Sequence, residues 1–502
     1  MASAIVERAG RRPRLRPSRW TQVTYAAIGV SVLMLLLQVH SWSTLGNTDY
    51  YLRNAVDLYN GDLPHSRYSP GYPVVLVPLV ALADGRLAAM TIAATLFSVA
   101  SAAVALVLLH RWLRLYVDRP AAALTLTAFA VGQAATYYLS RGEVESFALL
   151  LVTALLVVAA KGRMGVAVLL TLAAGLVRVA LVPFLGLFWL LQLRTRPKPA
   201  AAGLLAVAAS VLAHSAVGPN QDQSYAGIAG AVYSNGTGSR TDVIQEIFQG
   251  AVDRALDYGE FGLPRLVWPH ALLATTPGSA VAAATTTAVL AGLLILGRQG
   301  LRRSSDVARV AISSTVAFGG YLAGLLFWPI QPSETVRLLI PVAGLPILAL
   351  AVLSQRIARM SGAARYAVAM ATALVVAVGL ASSVSVVVQQ RSPQAEERQF
   401  IEAHERARER LPAGAVMSRK PAFTELVLGR TTYEYPAGVR ARDMTELVDR
   451  TGVCIFVVDR MDEGMPRAVA RWIRSRSVRL LGNANTEFFV FDSPRCPEAQ
   501  PE

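Results

Sequence analysis

Apolar runs of about 20 residues, each long enough to cross a lipid core as a helix, recur along this chain from residue 22 to residue 388. They fall near 22–40, 86–109, 120–138, 145–160, 201–217, 279–297, 307–328, 337–354 and 366–388. The run 164–193 is too long for one crossing and too short for two full ones, with Arg178 at its middle and Pro183 close behind. We read it as two short helices that turn at Arg178 on one membrane face, giving about eleven spans in total. The polar intervals are unequal: 41–85 and 218–278 are long, whereas 139–144 and 329–336 are short. Within 218–278, Val243, Ile244, Ile247, Phe248, Ala251, Val252 and Leu256 recur at helical spacing behind Thr241 or Asp242 as a cap. That pattern fits an amphipathic helix on the membrane surface or over a site. It fits a loop helix packed on its neighbours equally well.

From residue 389 the pattern changes. Helices are expected at 396–410, 443–449 and 466–475, and strands at 415–418, 453–459, 478–481 and 487–491. Such alternation points to a small layered sheet. The expected fold class is therefore an all-α polytopic membrane protein with a basic N-terminus over 1–21, a core over 22–388 and a small α/β domain over 389–502. The last part has no glycine-rich phosphate loop, no Gly-x-Ser-x-Gly and no metal-spaced His or Cys cluster. A recognition or cover role suits it better than catalysis.

Composition agrees with the pattern. The chain is 54% hydrophobic and 16% charged, whereas soluble domains are about a quarter charged. The net charge of +15 invites a nucleic-acid reading, but its distribution argues for topology instead. Arg8 to Arg19 precede the first run, and later clusters are Arg111/Arg114/Arg119, Lys161/Arg163, Arg194/Arg196/Lys198, Arg298/Arg302/Arg303 and Arg356/Arg359/Arg365. With about eleven spans all of them fall on one side, which the positive-inside rule makes cytoplasmic. Counting 164–193 as one span would put the Arg298 cluster outside, and we reject that count. Nucleic acid is excluded as a partner, while anionic membrane lipid suits such a face. The basic start followed by a long apolar run without a small-residue cleavage site reads as a retained anchor. Cys454 and Cys496 both lie in the tail, on the extracytoplasmic side by this topology, where a disulfide persists. A buried strand cysteine and a loose thiol fit as well.

Candidate chemistry gathers at the outer ends of the runs. Residues 46–79 read GNTDYYLRNAVDLYNGDLPHSRYSPGYPVVLVPL, with Asp49 where the chain leaves the membrane, followed by Tyr50, Tyr51 and Arg53. A carboxylate beside low-dielectric surroundings becomes more basic, which suits a general base near neutrality. A solvated acid at the cap of a helix over 50–60 is the plainer alternative. The return Tyr68-Ser69-Pro70-Gly71-Tyr72-Pro73 holds irregular backbone at the membrane face, which protein must bury or a cavity wet. It also reads as a rigid turn before a half-embedded helix over 74–82. In 136–146, Glu143 and Glu145 suit a metal, acid–base work, or an ion pair with Arg141. Arg178, inside an apolar run, is costly there and marks either function or a snorkelling side chain. Arg337 enters its run directly behind Glu334, and its planar fork suits phosphate oxygens.

Together these residues resemble those of GT-C glycosyltransferases, polytopic enzymes that use polyprenyl-phosphate sugars. The shared features are an acid after the first span, a Tyr/Pro/Gly return, an Arg-bearing hairpin mid-chain and an arginine entering a late span. The layout over 20–390 is similar to that of the actinobacterial mannosyl-, arabinosyl- and family-39-like transferases, and LPAGAVMS and GVCIFVVD in the tail resemble the small outer domains that follow such cores. The resemblance implies Asp49 as the catalytic base of an inverting transfer to a cell-envelope glycan or glycolipid, and Arg337, assisted by Arg178, as the donor-phosphate contact. Tyr50, Arg53, Tyr68, Tyr72, Arg141, Glu143, Glu145 and Glu334 are the candidates for substrate contacts. It further implies a bacterial plasma-membrane enzyme, whose N-terminus the charge distribution puts in the cytoplasm and whose tail it puts outside; no clear acidic pair in the first outer loop demands a metal, so a metal-independent site without a cofactor is expected. Protein O-mannosyltransferases carry Asp-Glu where this chain has Asp49-Tyr50, which speaks against that kind of protein acceptor. A transporter or flippase of lipid-linked sugars would want midplane charges and repeats. An O-antigen polymerase or ligase would want an outer loop rich in His and Arg, where 218–278 offers His270.

Overall fold

The computed structural model describes residues 18–39, 48–63, 69–84, 86–217, 240–301, 305–326, 335–390, 395–435, 444–459, 467–483, 486–491 and 496. The core is helical: α1 (Arg19–Leu36), α2 (Thr48–Asn60), α3 (Gly71–Leu82), α4 (Leu87–Leu113), α5 (Arg119–Ala130), α6 (Gln133–Tyr138), α7 (Val144–Ala160), α8 (Met164–Val177), α9 (Val182–Gln192) and α10 (Pro197–Val217). It continues with α11 (Arg240–Asp257), α12 (Thr276–Leu301), α13 (Asp306–Leu326), α14 (Thr335–Leu339), α15 (Gly344–Ala358) and α16 (Gly362–Gln390). Among the described residues five of these are long and apolar enough to cross a membrane, namely α4, α10, α12, α13 and α16. The pair α14 and α15, bent by 72° about a short turn over Ile340–Val342, makes a sixth if counted as one span. This is a multi-pass membrane protein, but the eleven expected spans are met only in part: the apolar helices Gly71–Leu82, Val144–Ala160 and Met164–Val177 and the stretch Val179–Gln192 are 10–17 residues long. The run expected at 120–138 is broken at Val131–Gly132 into α5 and α6, and the one at 337–354 is bent where Pro341 interrupts it.

The expected turn at Arg178 is present. α8 stops at Val177, Arg178 is extended (φ −149°, ψ 102°), and a short turn over Val179–Leu181 leads into α9 with Pro183 in its first turn. The two arms are joined by the Trp189 indole, which donates to the Thr171 hydroxyl at 2.7 Å.

The basic turns meet at one end of the bundle. Arg196 pairs with Asp306, and the Gly162 position lies against the same carboxylate. Tyr116 donates to the Val307 carbonyl at 3.1 Å, and the Asp118 amide donates to the Gln355 side chain at 2.9 Å. The turns at 114–119, 161–163, 194–197, 305–309 and 355–359 therefore share one end. Asp49, Glu143, Glu145, Arg178 and Arg337 lie at the other ends of their helices.

The tail folds as helix α17 (Ala395–Arg410) followed by a mixed sheet: β1 (Ala415–Ser418), α18 (Pro421–Leu428), β2 (Thr432–Glu434), α19 (Met444–Thr451), β3 (Val453–Asp459), α20 (Arg467–Arg476), β4 (Ser477–Gly482) and β5 (Thr486–Phe491). Strand order is β2-β1-β3-β5-β4, with β2, β1 and β3 parallel and β5 and β4 antiparallel. One face packs on α17 through Ala403, Ala407, Val416, Ile455 and Phe488. The other packs on α19 and α20 through Met417, Met444, Phe456, Val469 and Ile473. Cys454 and Cys496 form a disulfide with Cα atoms 5.4 Å apart, so the paired reading of the two cysteines holds. Helix α18 and strand β2 are elements the sequence reading lacks, and α18 is what docks the domain. Glu425 on α18 pairs with Arg53 on α2 at 2.7 Å, and Phe400, Ile401, Phe423 and Val427 pack against Leu87.

Candidate active site

Helix α2 begins at the point where its first turn meets the loop before α7. The Thr48 hydroxyl donates to the Arg141 carbonyl at 2.5 Å, so it fastens the helix to that loop. Asp49 follows in the same turn and is 7% exposed. Its Oδ1 has no hydrogen-bond partner. Burial pushes the carboxyl up to about 7, opposed by the Tyr50 backbone and the Lys420 ammonium and assisted by Glu143. A buried carboxyl with an unused oxygen, titrating near neutrality, is equipped to accept a proton.

The proline-bearing return holds the next layer. Gly71 is required at its position: a Cβ there would stand 2.6 Å from the Leu176 carbonyl carbon and 2.8 Å from the Val177 nitrogen. The start of α3 thus lies directly on the end of α8, and the Ser69 hydroxyl accepts from the Val179 amide at 3.1 Å. The first outer loop and the Arg178 turn are one structure. Tyr72 is fully buried, its hydroxyl donating to the Gly142 carbonyl at 2.9 Å and its ring edge-on to Tyr51 at 5.0 Å. It positions the 140–143 loop from within the protein. Gly142 there has φ +69°, a conformation that favours glycine.

Glu143 precedes α7 and Glu145 lies in its first turn. Both carboxylates face arginines from distant parts of the chain. Arg178 Nη1 lies 2.6 Å and Arg337 Nε 2.5 Å from the same Glu145 oxygen, Oε1, and Arg337 Nη2 lies 3.1 Å from Glu143. All four residues are at least nine-tenths buried. The other Glu145 oxygen has no partner. Among the described residues Arg178 makes one ion pair, through Nη1 to Glu145. The ion pair of these acids with Arg141 is not formed: among the described residues Arg141 makes no ion pair and instead stacks over the Tyr137 ring at 3.7 Å. Arg53 likewise serves the Glu425 contact rather than standing open. Tyr50 is half-buried beside Asp49. Tyr68 and Glu334 lie outside the described residues. Among the described residues, no three His, Cys, Asp or Glu side chains converge as a metal site would require.

Asp49, Glu143, Glu145, Arg178 and Arg337 are thus brought together, as a carboxyl next to a buried arginine–carboxylate cluster. Sequence reasoning missed Lys420, which acts on Asp49 from the tail domain. The available signal was its place directly after a strand, where ligand-facing loops of parallel sheets lie.

No family model matches the chain, and no curated protein matches it. Its fold matches solved structures. The oligosaccharyltransferase of Archaeoglobus fulgidus in the apo form aligns with TM-score 0.55 at 12% identity, covering 91% of this chain and 72% of that one. The same enzyme tethered with an acceptor peptide aligns with TM-score 0.52 at 11% identity, covering 94% and 74%. ArnT from Cupriavidus metallidurans, bound to undecaprenyl phosphate, aligns with TM-score 0.51 at 12% identity, covering 95% and 99%. At these identities the likeness is one of fold alone, shared with an oligosaccharyltransferase and with ArnT.

Proposed function

We propose that this chain is an inverting glycosyltransferase that moves a sugar from a polyprenyl-phosphate donor to a glycan or glycolipid acceptor on the outer face of the membrane. The observation that carries this is Asp49, a buried carboxyl with an unpartnered oxygen beside a cluster holding two buried arginines. In the reaction the Asp49 carboxylate takes the proton of an acceptor hydroxyl. The hydroxyl oxygen forms a bond to the anomeric carbon from the face opposite the lipid phosphate. The bond from that carbon to the phosphate oxygen breaks, and its electron pair leaves on polyprenyl phosphate. Arg178 and Arg337 stabilise the charge that develops there, and their hold on Glu145 fixes them before substrate arrives. The bound lipid in the ArnT structure, a polyprenyl phosphate, supports this donor class. No step needs a cofactor.

Membranes containing the chain, offered a panel of polyprenyl-phosphate sugars and envelope acceptors, test the reading. Transfer with an anomeric configuration opposite to that of the donor, read by NMR of the product, is the expected result. Product of retained configuration, or transfer only from nucleotide sugars, would overturn it.

A further inference from the structure

The tail domain meets the membrane core at a particular edge of its sheet. From β1 the chain passes through α18 to β2 on one side, whereas β3 pairs with β1 on the other. The carboxyl end of β1 is therefore the point where strand order reverses, the place where open α/β sheets bind ligands. Arg419 and Lys420 occupy that turn, and the Lys420 amide is held by the Ser418 hydroxyl at 3.2 Å. The ion pair between Arg53 and Glu425 sets the turn over the site. Arg53 lies one helical turn after Asp49 on α2, and Glu425 just over one turn after Lys420 on α18. The Lys420 charge acts on the Asp49 carboxyl, so the starts of the two helices lie on the same side of that ion pair.

Lys420 is half-buried and forms no ion pair among the described residues; its ammonium rests 5.0 Å from the Phe400 ring centroid. Its charge nonetheless reaches the Asp49 carboxyl, whose Oδ1 is unpartnered. A lysine held over an aromatic ring and left without an acid is in place to receive an oxyanion from a ligand. We infer that the tail domain supplies a residue of the reaction site, with Lys420 binding an anionic group, phosphate or carboxylate, of a substrate lying against Asp49. This rests on the transfer reading above. It assigns the tail domain a substrate contact in place of a cover. The lipid phosphate of the donor and an acid group on the acceptor glycan are the two sources of such an oxyanion.

Thermal unfolding of the purified full chain in detergent separates them without relying on turnover. Wild type, Lys420→Met and Lys420→Arg are titrated with undecaprenyl phosphate and, separately, with glucuronate. Lys420→Met should weaken one ligand about tenfold or more, and Lys420→Arg should restore it, each read as the shift from that variant's own unliganded unfolding. Loss confined to undecaprenyl phosphate assigns the contact to the donor, and loss confined to glucuronate to the acceptor. Wild-type affinity for both ligands in Lys420→Met, or no binding of either by wild type, overturns the inference. Transfer that survives Asp49→Asn would instead remove the underlying reaction, whatever Lys420 binds.

Discussion

Burial of the Asp49 carboxyl favours its protonated form, while the Tyr50 backbone and the Lys420 ammonium favour the ionised one; burial prevails, and the group titrates at about 7. The same burial costs stability with a definite sign. Asp49 has an ordinary value of 3.8 in the unfolded chain, so between that and about 7 the folded state holds a proton that the unfolded state has released. Stability conferred by that protonated form is fully present below 3.8, declines as pH rises through the window, and is gone above about 7. Asp49→Asn cannot ionise. It should track wild type at low pH and gain on it by up to about 4 kcal/mol above neutrality. Melting temperatures of the two chains in detergent at acidic and at alkaline pH check this, and a gap that does not widen with pH contradicts it. The site side chains themselves were legible: an acid after an apolar run and an arginine within one stand out by their cost. Their pairing was not, because Glu145 meets Arg178 across 33 positions and Arg337 across 192, and no local pattern records such contacts.

At the scale of elements, the return at 69–73 and the break at Arg178 work as a single joint. Its tolerance is set by backbone meeting backbone at Gly71. Gly71→Ala forces that contact apart, and overpacking of this kind costs about 1–3 kcal/mol. We expect a lower melting temperature for Gly71→Ala and slower transfer, because Arg178 moves with the joint; a chain with wild-type melting and transfer would show the joint to be loose. The break at Arg178 was legible because a charge and a proline interrupt one run. Strands 415–418 and 453–459 were legible to the residue, being short, apolar and bounded by polar turns. Helix α18 was missed because its eight residues, PAFTELVL, are apolar and too short for a helical period to show. The split of 120–138 was missed because hydropathy does not change across Val131 and Gly132 enough to mark a boundary.

Over the whole molecule, the sorting of charge along the chain anticipated the way the helices stand: five basic turns meet at one end, and the acids and arginines of the candidate site gather at the other. The docking of the tail domain was beyond sequence, since it depends on the Arg53–Glu425 pair and on which edge of the sheet turns toward α2. That docking brings the Lys420 ammonium near enough to favour the ionised form of the Asp49 carboxyl. The assembled site makes its strongest claim through pH. Asp49 as base predicts that kcat/KM for sugar transfer climbs to a plateau through about 7. The same claim predicts that Asp49→Asn falls by about 10²-fold or more at every pH while still binding undecaprenyl phosphate. The pH–rate profile of wild type beside Asp49→Asn is therefore the decisive measurement. An Asp49→Asn chain that keeps the wild-type rate, or keeps the same rising limb, would contradict the account and place the base elsewhere.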